Sequence, residues 1–132
     1  MTLRYMLDTD TVSYALRGVG NVGNRLLEHL PSELCVSSIT VAELRFGATK
    51  RKSRRLHALI DTFIVSVKPV PFEQLAAAAF GTLAASLARK GTPIGEFDTL
   101  IAAHAASLGI ALVTNTRHFE HVAGLRLENW FL

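Results

Sequence analysis

Tyr5-Met6-Leu7-Asp8-Thr9-Asp10-Thr11, close to the start of the chain, sets the pattern for the whole sequence. The apolar run Arg4 to Leu7 has the length of a buried strand, and the polar group that follows it contains the residue types that open helices. Similar runs recur at Leu34 to Val36, Ile64 to Val67 and Ile110 to Thr114, each bounded by turn or helix-start residues. Between them, Thr11 to Arg17, Val22 to Leu30, Val41 to Lys50, Ser53 to Phe63, Glu73 to Arg89 and Glu96 to Leu108 carry Leu, Ala and Phe at three- and four-residue spacings. That periodicity predicts helices. The resulting order, βααβααβααβ, requires crossover connections and so predicts an α/β fold of three layers: a mostly parallel central sheet of four or five strands with helices on both faces.

The 132 residues suit a single domain spanning 1–132, with no internal repeat, low-complexity tract or linker. An apolar content of 49% with only 19% charged residues rules out a disordered chain and suggests an apolar surface covered by a partner or a second copy. Fourteen Lys and Arg against eleven Asp and Glu give a net charge of +3, compatible with an acidic partner such as RNA. Cys35 is the only cysteine, which excludes an internal disulfide or a cysteine-built zinc site and fits a reducing cytoplasm. Asp8 arrives before a signal-peptide apolar segment can form, and the longest later apolar run is Leu75 to Phe80, so neither secretion by such a signal nor a membrane span is expected.

In doubly wound sheets, ligands bind beyond the carboxyl ends of the strands, and three acids fall there. Asp8 directly follows the first strand, although it could instead end that strand or cap the next helix. Glu43 follows the second strand in Ser37-Ser38-Ile39-Thr40-Val41-Ala42-Glu43-Leu44, where Thr40 and Glu43 also have the spacing of a capping box. Asp98 lies in the first turn of the helix Phe97 to Ala105, a position that the helix dipole favours for any acid. Bringing three carboxylates together is unfavourable without a cation, and an all-oxygen set suits Mg²⁺ or Mn²⁺ rather than zinc. A cation so held activates water against a phosphodiester.

These residues, with Gly47-Ala48, the block Pro93 to Ala105, Leu112-Val113-Thr114-Asn115 and the ending Phe119 to Trp130, resemble the PIN-domain ribonucleases, and specifically the VapC toxins of bacterial toxin-antitoxin modules. The resemblance spans nearly the whole chain. It implies a PIN fold and a Mg²⁺-dependent endoribonuclease with Asp8 and Asp98 as principal metal ligands and Glu43 as a third site acid. It also implies a homodimer in a complex with a VapB-type antitoxin, which alone would contact operator DNA, and tRNA as substrate, with the initiator tRNA anticodon stem-loop as the specific expectation. Many members carry a fourth acid after the last core strand, where this chain reads Thr114-Asn115-Thr116-Arg117-His118-Phe119. Asn115 or Thr116 is therefore expected to take that ligand or water-orienting place, with Asp10 adding charge from outside.

The run Lys50-Arg51-Lys52-Ser53-Arg54-Arg55 offers Arg51, Lys52 and Arg54 as RNA phosphate contacts, with a solvated loop as the alternative. Arg117 and His118 are further possible phosphate contacts, and His104, away from the Asp98 face of its helix, reads as structural. Two rival functions share these residues. Asp8-Thr9-Asp10-Thr11 also resembles the nucleophile motif of haloacid-dehalogenase-type phosphatases, but no late acidic pair follows the strand at Ile110. A non-catalytic RNA-binding PIN domain would account for the missing fourth acid.

Overall fold

The computed structural model describes residues 2–132; Met1, part of the expected domain, lies outside the described residues. Five strands, β1 (Tyr5–Leu7), β2 (Leu34–Ser37), β3 (Lys68–Val70), β4 (Ala111–Val113) and β5 (Leu127–Glu128), form one sheet in the order β3-β2-β1-β4-β5. Every pairing is parallel. Six helices connect them: α1 (Thr9–Arg17), α2 (Val22–Leu26), α3 (Ser38–Lys50), α4 (Arg54–Ser66), α5 (Gln74–Arg89) and α6 (Glu96–Leu108).

The strands β1, β2 and β4 are buried throughout, as a sheet covered on both faces requires. Their side chains alternate between two cores. Tyr5, Leu7, Val36 and Val113 pack with residues of α1, α3 and α4, together with Trp130 from the chain's last segment. Met6, Cys35 and Leu112 face the opposite way, onto Leu87 of α5 and Ile101, Ala102 and Ala105 of α6. This is the three-layer arrangement expected. After β3 the chain returns to pair β4 beside β1, so the order reverses between β1 and β4, where such sheets open a crevice at their carboxyl ends.

Several expected boundaries need correction. Ile64 to Val67 is not a strand: α4 runs to Ser66 and Val67 caps it, while the strand is Lys68–Val70. Ile60, Phe63, Ile64 and Val67 all pack into one core at helical spacing, and Pro69 is tolerated because β3 is an edge strand bonded only to β2. The helix expected over Val22 to Leu30 stops at Leu26, since Pro31 drives Leu30 into an extended conformation. The helix expected from Val41 begins at Ser38, with the Ser37 hydroxyl accepting from Ile39 N at 3.0 Å. Thr9 rather than Thr11 opens α1. The two-residue β5 is absent from the predicted order, because a strand that short shows no periodicity and exists only through its pairing with β4.

His104, 2% exposed on α6, ties this helix to the sheet, its Nδ1 lying 2.8 Å from Ser37 Oγ. The Ser37 oxygen already accepts from Ile39 N, so its hydrogen is free to serve a neutral imidazole, and burial lowers the pKa of His104 below the ordinary 6.5. The structural reading of this residue agrees with that placement. His104→Ala opens a cavity and leaves the hydroxyl without its partner, an expected loss of about 3 kcal/mol in urea denaturation. Because the unfolded chain takes up a proton that the folded ring resists, the His104 contribution is full above about pH 6.5 and declines below it. Parent and variant stabilities should therefore converge on acidification; a gap that stays constant would contradict a neutral buried ring.

Candidate active site

Asp8 is the first residue beyond β1 and is only 2% exposed. The parallel ladder continues through it, its N–H donating to Val113 O at 3.0 Å, which fixes the residue at the β1–β4 reversal. Its Oδ1 accepts from Thr11 N at 2.8 Å and so caps α1. The capping alternative is thus realised, but it occupies one oxygen of two. Burial raises the Asp8 pKa, hydrogen bonds from Thr11 and Thr114 oppose the shift, and the nearby charge of Asp10 adds to it.

Glu43 is the sixth residue of α3, in the second turn rather than the first. The capping box drawn from Thr40 and Glu43 does not form, because Ser37 caps the helix three residues earlier. Glu43 Oε1 instead accepts from the Thr9 hydroxyl at 2.6 Å, and Thr9 lies 3.2 Å from the Thr40 hydroxyl. Thr9 therefore joins α1 to α3 and aims the Glu43 carboxylate toward the end of β1. The pKa of Glu43 is raised by burial first, then by the charges of Asp98, Asp10 and Asp8, with the Thr9 bond opposing.

Asp98 stands in the first turn of α6, where dipole and site placement coincide. Burial raises its pKa and Asp10 adds to that, while His118 opposes, its Nε2 lying 2.8 Å from Asp98 Oδ2. The three acids thus come from three elements on both faces of the sheet and share one electrostatic neighbourhood with the exposed Asp10. Each resists ionisation, chiefly through burial, and a positive charge among them would offset that shift. The donor set fits a hard cation. As they stand, however, no three acid, His or Cys side chains among the described residues are drawn close enough to hold one; Thr9, Thr11 N and His118 occupy the carboxylates instead.

Asn115 and Thr116 make no hydrogen bond to them. The Asn115 Oδ1 accepts from Asn129 Nδ2 at 2.8 Å, on the side of β5, and Thr116 N donates to Thr114 Oγ1 at 3.0 Å. The residues that sequence reasoning left out are Thr9 and Thr114, whose hydroxyls serve the acids, and His118 as a partner of Asp98. Thr9 and Thr114 do flank the first and last core strands, a positional signal that sequence alone carries.

Arg51, Lys52 and Arg54 are exposed near the α3–α4 turn. Only Arg51 joins a cleft, lined also by Arg17, Arg55, Leu16, Leu56 and Leu59. Neither Arg51 nor Arg55 forms an ion pair among the described residues. At 1.5 Å per residue, Arg17 lies about 10 Å along α1 from Asp10 and Arg51 about 12 Å along α3 from Glu43. Cavities of about 380 and 510 Å³ lie elsewhere, beside His104 and Leu75 and at the amino ends of β1 and β4.

The PIN domain family model matches residues 5–125. The chain is 38% identical over 130 residues to the tRNA(fMet)-specific endonuclease VapC of Salmonella typhimurium, covering 97% of this chain and 98% of that protein. It is 43% identical over 136 residues to Ribonuclease VapC2 of Haemophilus influenzae, with the same coverage. Among solved structures, DNA-bound VapBC from Salmonella typhimurium superposes with a TM-score of 0.90 at 39% identity, covering 98% of this chain and 99% of that one. VapBC2 from Rickettsia felis, bound to a DNA fragment from their promoter, gives 0.89 at 34% identity over 97% and 99%. Relatives named as ribonucleases over their full length displace both the phosphatase reading of Asp8-Thr9-Asp10-Thr11 and the non-catalytic one. Fold, site position and near-complete coverage agree, and the chain belongs to the PIN-domain family and, within it, to the VapC ribonucleases.

Proposed function

We propose that this chain, one domain over 1–132, is the toxin of a type II toxin-antitoxin module and a Mg²⁺-dependent endoribonuclease, with Mn²⁺ as a substitute. What supports the reading is that Asp8, Glu43 and Asp98 share one electrostatic neighbourhood with Asp10, each with a raised pKa, in a chain aligned over 97% of its length with a named endonuclease. Asp8 and Asp98 are the principal ligands and Glu43 the third site acid. A bound divalent cation supplies charge neutralisation at the phosphodiester and activation of water. Thr9 orients Glu43, and Thr11 N and Thr114 orient Asp8, which keeps the carboxylates at one rim from which a cation draws them together.

Initiator tRNA is the proposed substrate, by extension from the tRNA(fMet)-specific relative. A VapB-type antitoxin and a second copy of the chain are the proposed partners, by extension from the VapBC structures, and operator DNA is reached only through the antitoxin. Exposed Leu27, Phe46, Val65 and Leu75 are apolar surface for such partners. The cytoplasm is the proposed compartment, consistent with the single buried thiol; no helix among the described residues is long and apolar enough to cross a membrane. Arg51, Lys52 and Arg54, extended by Arg17 and Arg55, contact RNA phosphates beyond the cut.

Purified protein free of antitoxin should cleave initiator tRNA with Mg²⁺ and not with EDTA, and Asp8→Asn should reduce the rate by about 100-fold or more. Cleavage that persists in EDTA or in the variant would overturn the reading. The same substitution separates catalysis from stability. Asparagine keeps the helix cap and removes the charge, so in EDTA at neutral pH Asp8→Asn should be more stable than its parent, while Asp8→Ala forfeits about 1 kcal/mol of capping. Because the folded pKa of Asp8 is raised, its carboxylate is destabilising above that value and its protonation favours folding below it. The advantage of Asp8→Asn should therefore shrink as pH falls toward the ordinary 3.8.

Charge reversal at Arg51 and Arg55 should weaken RNA binding and lower the slope of affinity against salt, by about one unit for each phosphate that is no longer neutralised. Cleavage at saturating RNA should be retained. An unchanged salt slope would remove the cleft from the RNA path.

A further inference from the structure

We propose that His118 supplies the fourth ligand of this site, in the place left without a carboxylate, and that its nitrogen shifts the preferred cation from Mg²⁺ toward Mn²⁺. The inference rests on the ribonuclease reading for the presence of a cation and on separate observations for the histidine.

Beyond β4, neither residue expected to fill this place makes a hydrogen bond to the acids. Asn115 turns to Asn129, and Thr116 binds Thr114 through its backbone. From the same segment, His118 reaches across to α6 and brings Nε2 within 2.8 Å of Asp98 Oδ2. Its position is fixed from below: the neighbouring Phe119 is fully buried in the core with Ile101 and Ala105 of α6, and the two rings meet edge to face at 4.8 Å. The short turn carrying His118 and the helix carrying Asp98 are thus locked to each other by one apolar contact.

The contact with Asp98 is close but lies off the N–H axis. It counts as an ion-pair distance, yet the solvent-shielded Nε2 has no aligned hydrogen-bond partner. A buried polar nitrogen left so is costly. At this separation Nε2 and Oδ2 are close enough to be neighbouring ligands of one third atom. Other histidines have partners or lie away from the acids: His104 has Ser37, His57 has Arg45, His29, whose Nε2 is likewise unpaired, stacks on Trp130, and His121 lines a cleft beside α5.

A nitrogen donor changes the chemistry of the site. Mg²⁺ demands oxygen and retains water, whereas imidazole suits first-row transition ions. Three carboxylates with one imidazole also hold less negative charge than four carboxylates, which weakens a hard cation held chiefly by charge.

Calorimetric titration of the full chain, freed of antitoxin, with MnCl₂ and with MgCl₂ tests this in the parent, His118→Ala, His118→Asp and Asp8→Asn. His118→Ala should weaken Mn²⁺ binding by about tenfold or more and Mg²⁺ binding by much less. His118→Asp should move the preference back toward Mg²⁺. Proton NMR of the Co²⁺-loaded parent should show a strongly shifted, exchangeable imidazole N–H that disappears in His118→Ala. That signal also decides the question if the alanine variant folds poorly. Unchanged or tighter Mn²⁺ binding in His118→Ala, or no shifted N–H in the Co²⁺-loaded parent, would make His118 a counter-ion of Asp98 and overturn the proposal alone. A parent that binds no cation, or Asp8→Asn that binds as well as the parent, would overturn the ribonuclease assignment of the acids as well.

Discussion

The constraint on which the structure turns is the confinement of like charges at a sheet edge. A parallel sheet covered on both faces sends its strand ends and helix starts to one rim, and here that rim carries Asp8, Glu43, Asp98 and Asp10. Burial and mutual repulsion make every one of the first three harder to ionise than a free carboxylate. A fold gains nothing from such an arrangement by itself; two cores of branched and aromatic side chains tolerate it. The acids are in that sense a local strain, of the kind that the proposed cation would relieve.

Polar struts maintain that strain. Thr9 holds Glu43, Thr11 N and Thr114 hold Asp8, and His118 meets Asp98, so each acid has a protein partner on a different element. The Ser37–His104 bond then fixes α6 relative to the start of α3. In the proposed site these hydroxyls and rings, as much as the acids, set where the carboxylates stand.

Much of this was legible in the sequence. Strands buried on both faces appear as unbroken apolar runs, and the acids beyond them follow from topology, as Asp8 illustrates. Reading failed where two local patterns overlapped or where only long-range pairing decides. Ile64 to Val67 satisfies both strand and helix patterns, and its packing with Ile60 and Phe63 settles it as helix. Thr40 and Glu43 match a capping box, and only the earlier cap at Ser37 shows that Glu43 is free for other work. The two residues of β5 carry no periodicity. The path of the turn after Thr116 is set by Phe119 entering the core, so nothing local in Asn115, Thr116 or His118 reveals which of them meets Asp98.

The central claim is that one cation joins carboxylates contributed by three separate elements. Anomalous diffraction from crystals of the protein soaked in Mn²⁺ tests it directly. The account predicts a peak coordinated by Asp8 and Asp98, with Glu43 adjacent and the carboxylates drawn inward from their present partners. A peak located away from Asp8 and Asp98, or full occupancy elsewhere with these side chains unmoved, would contradict it.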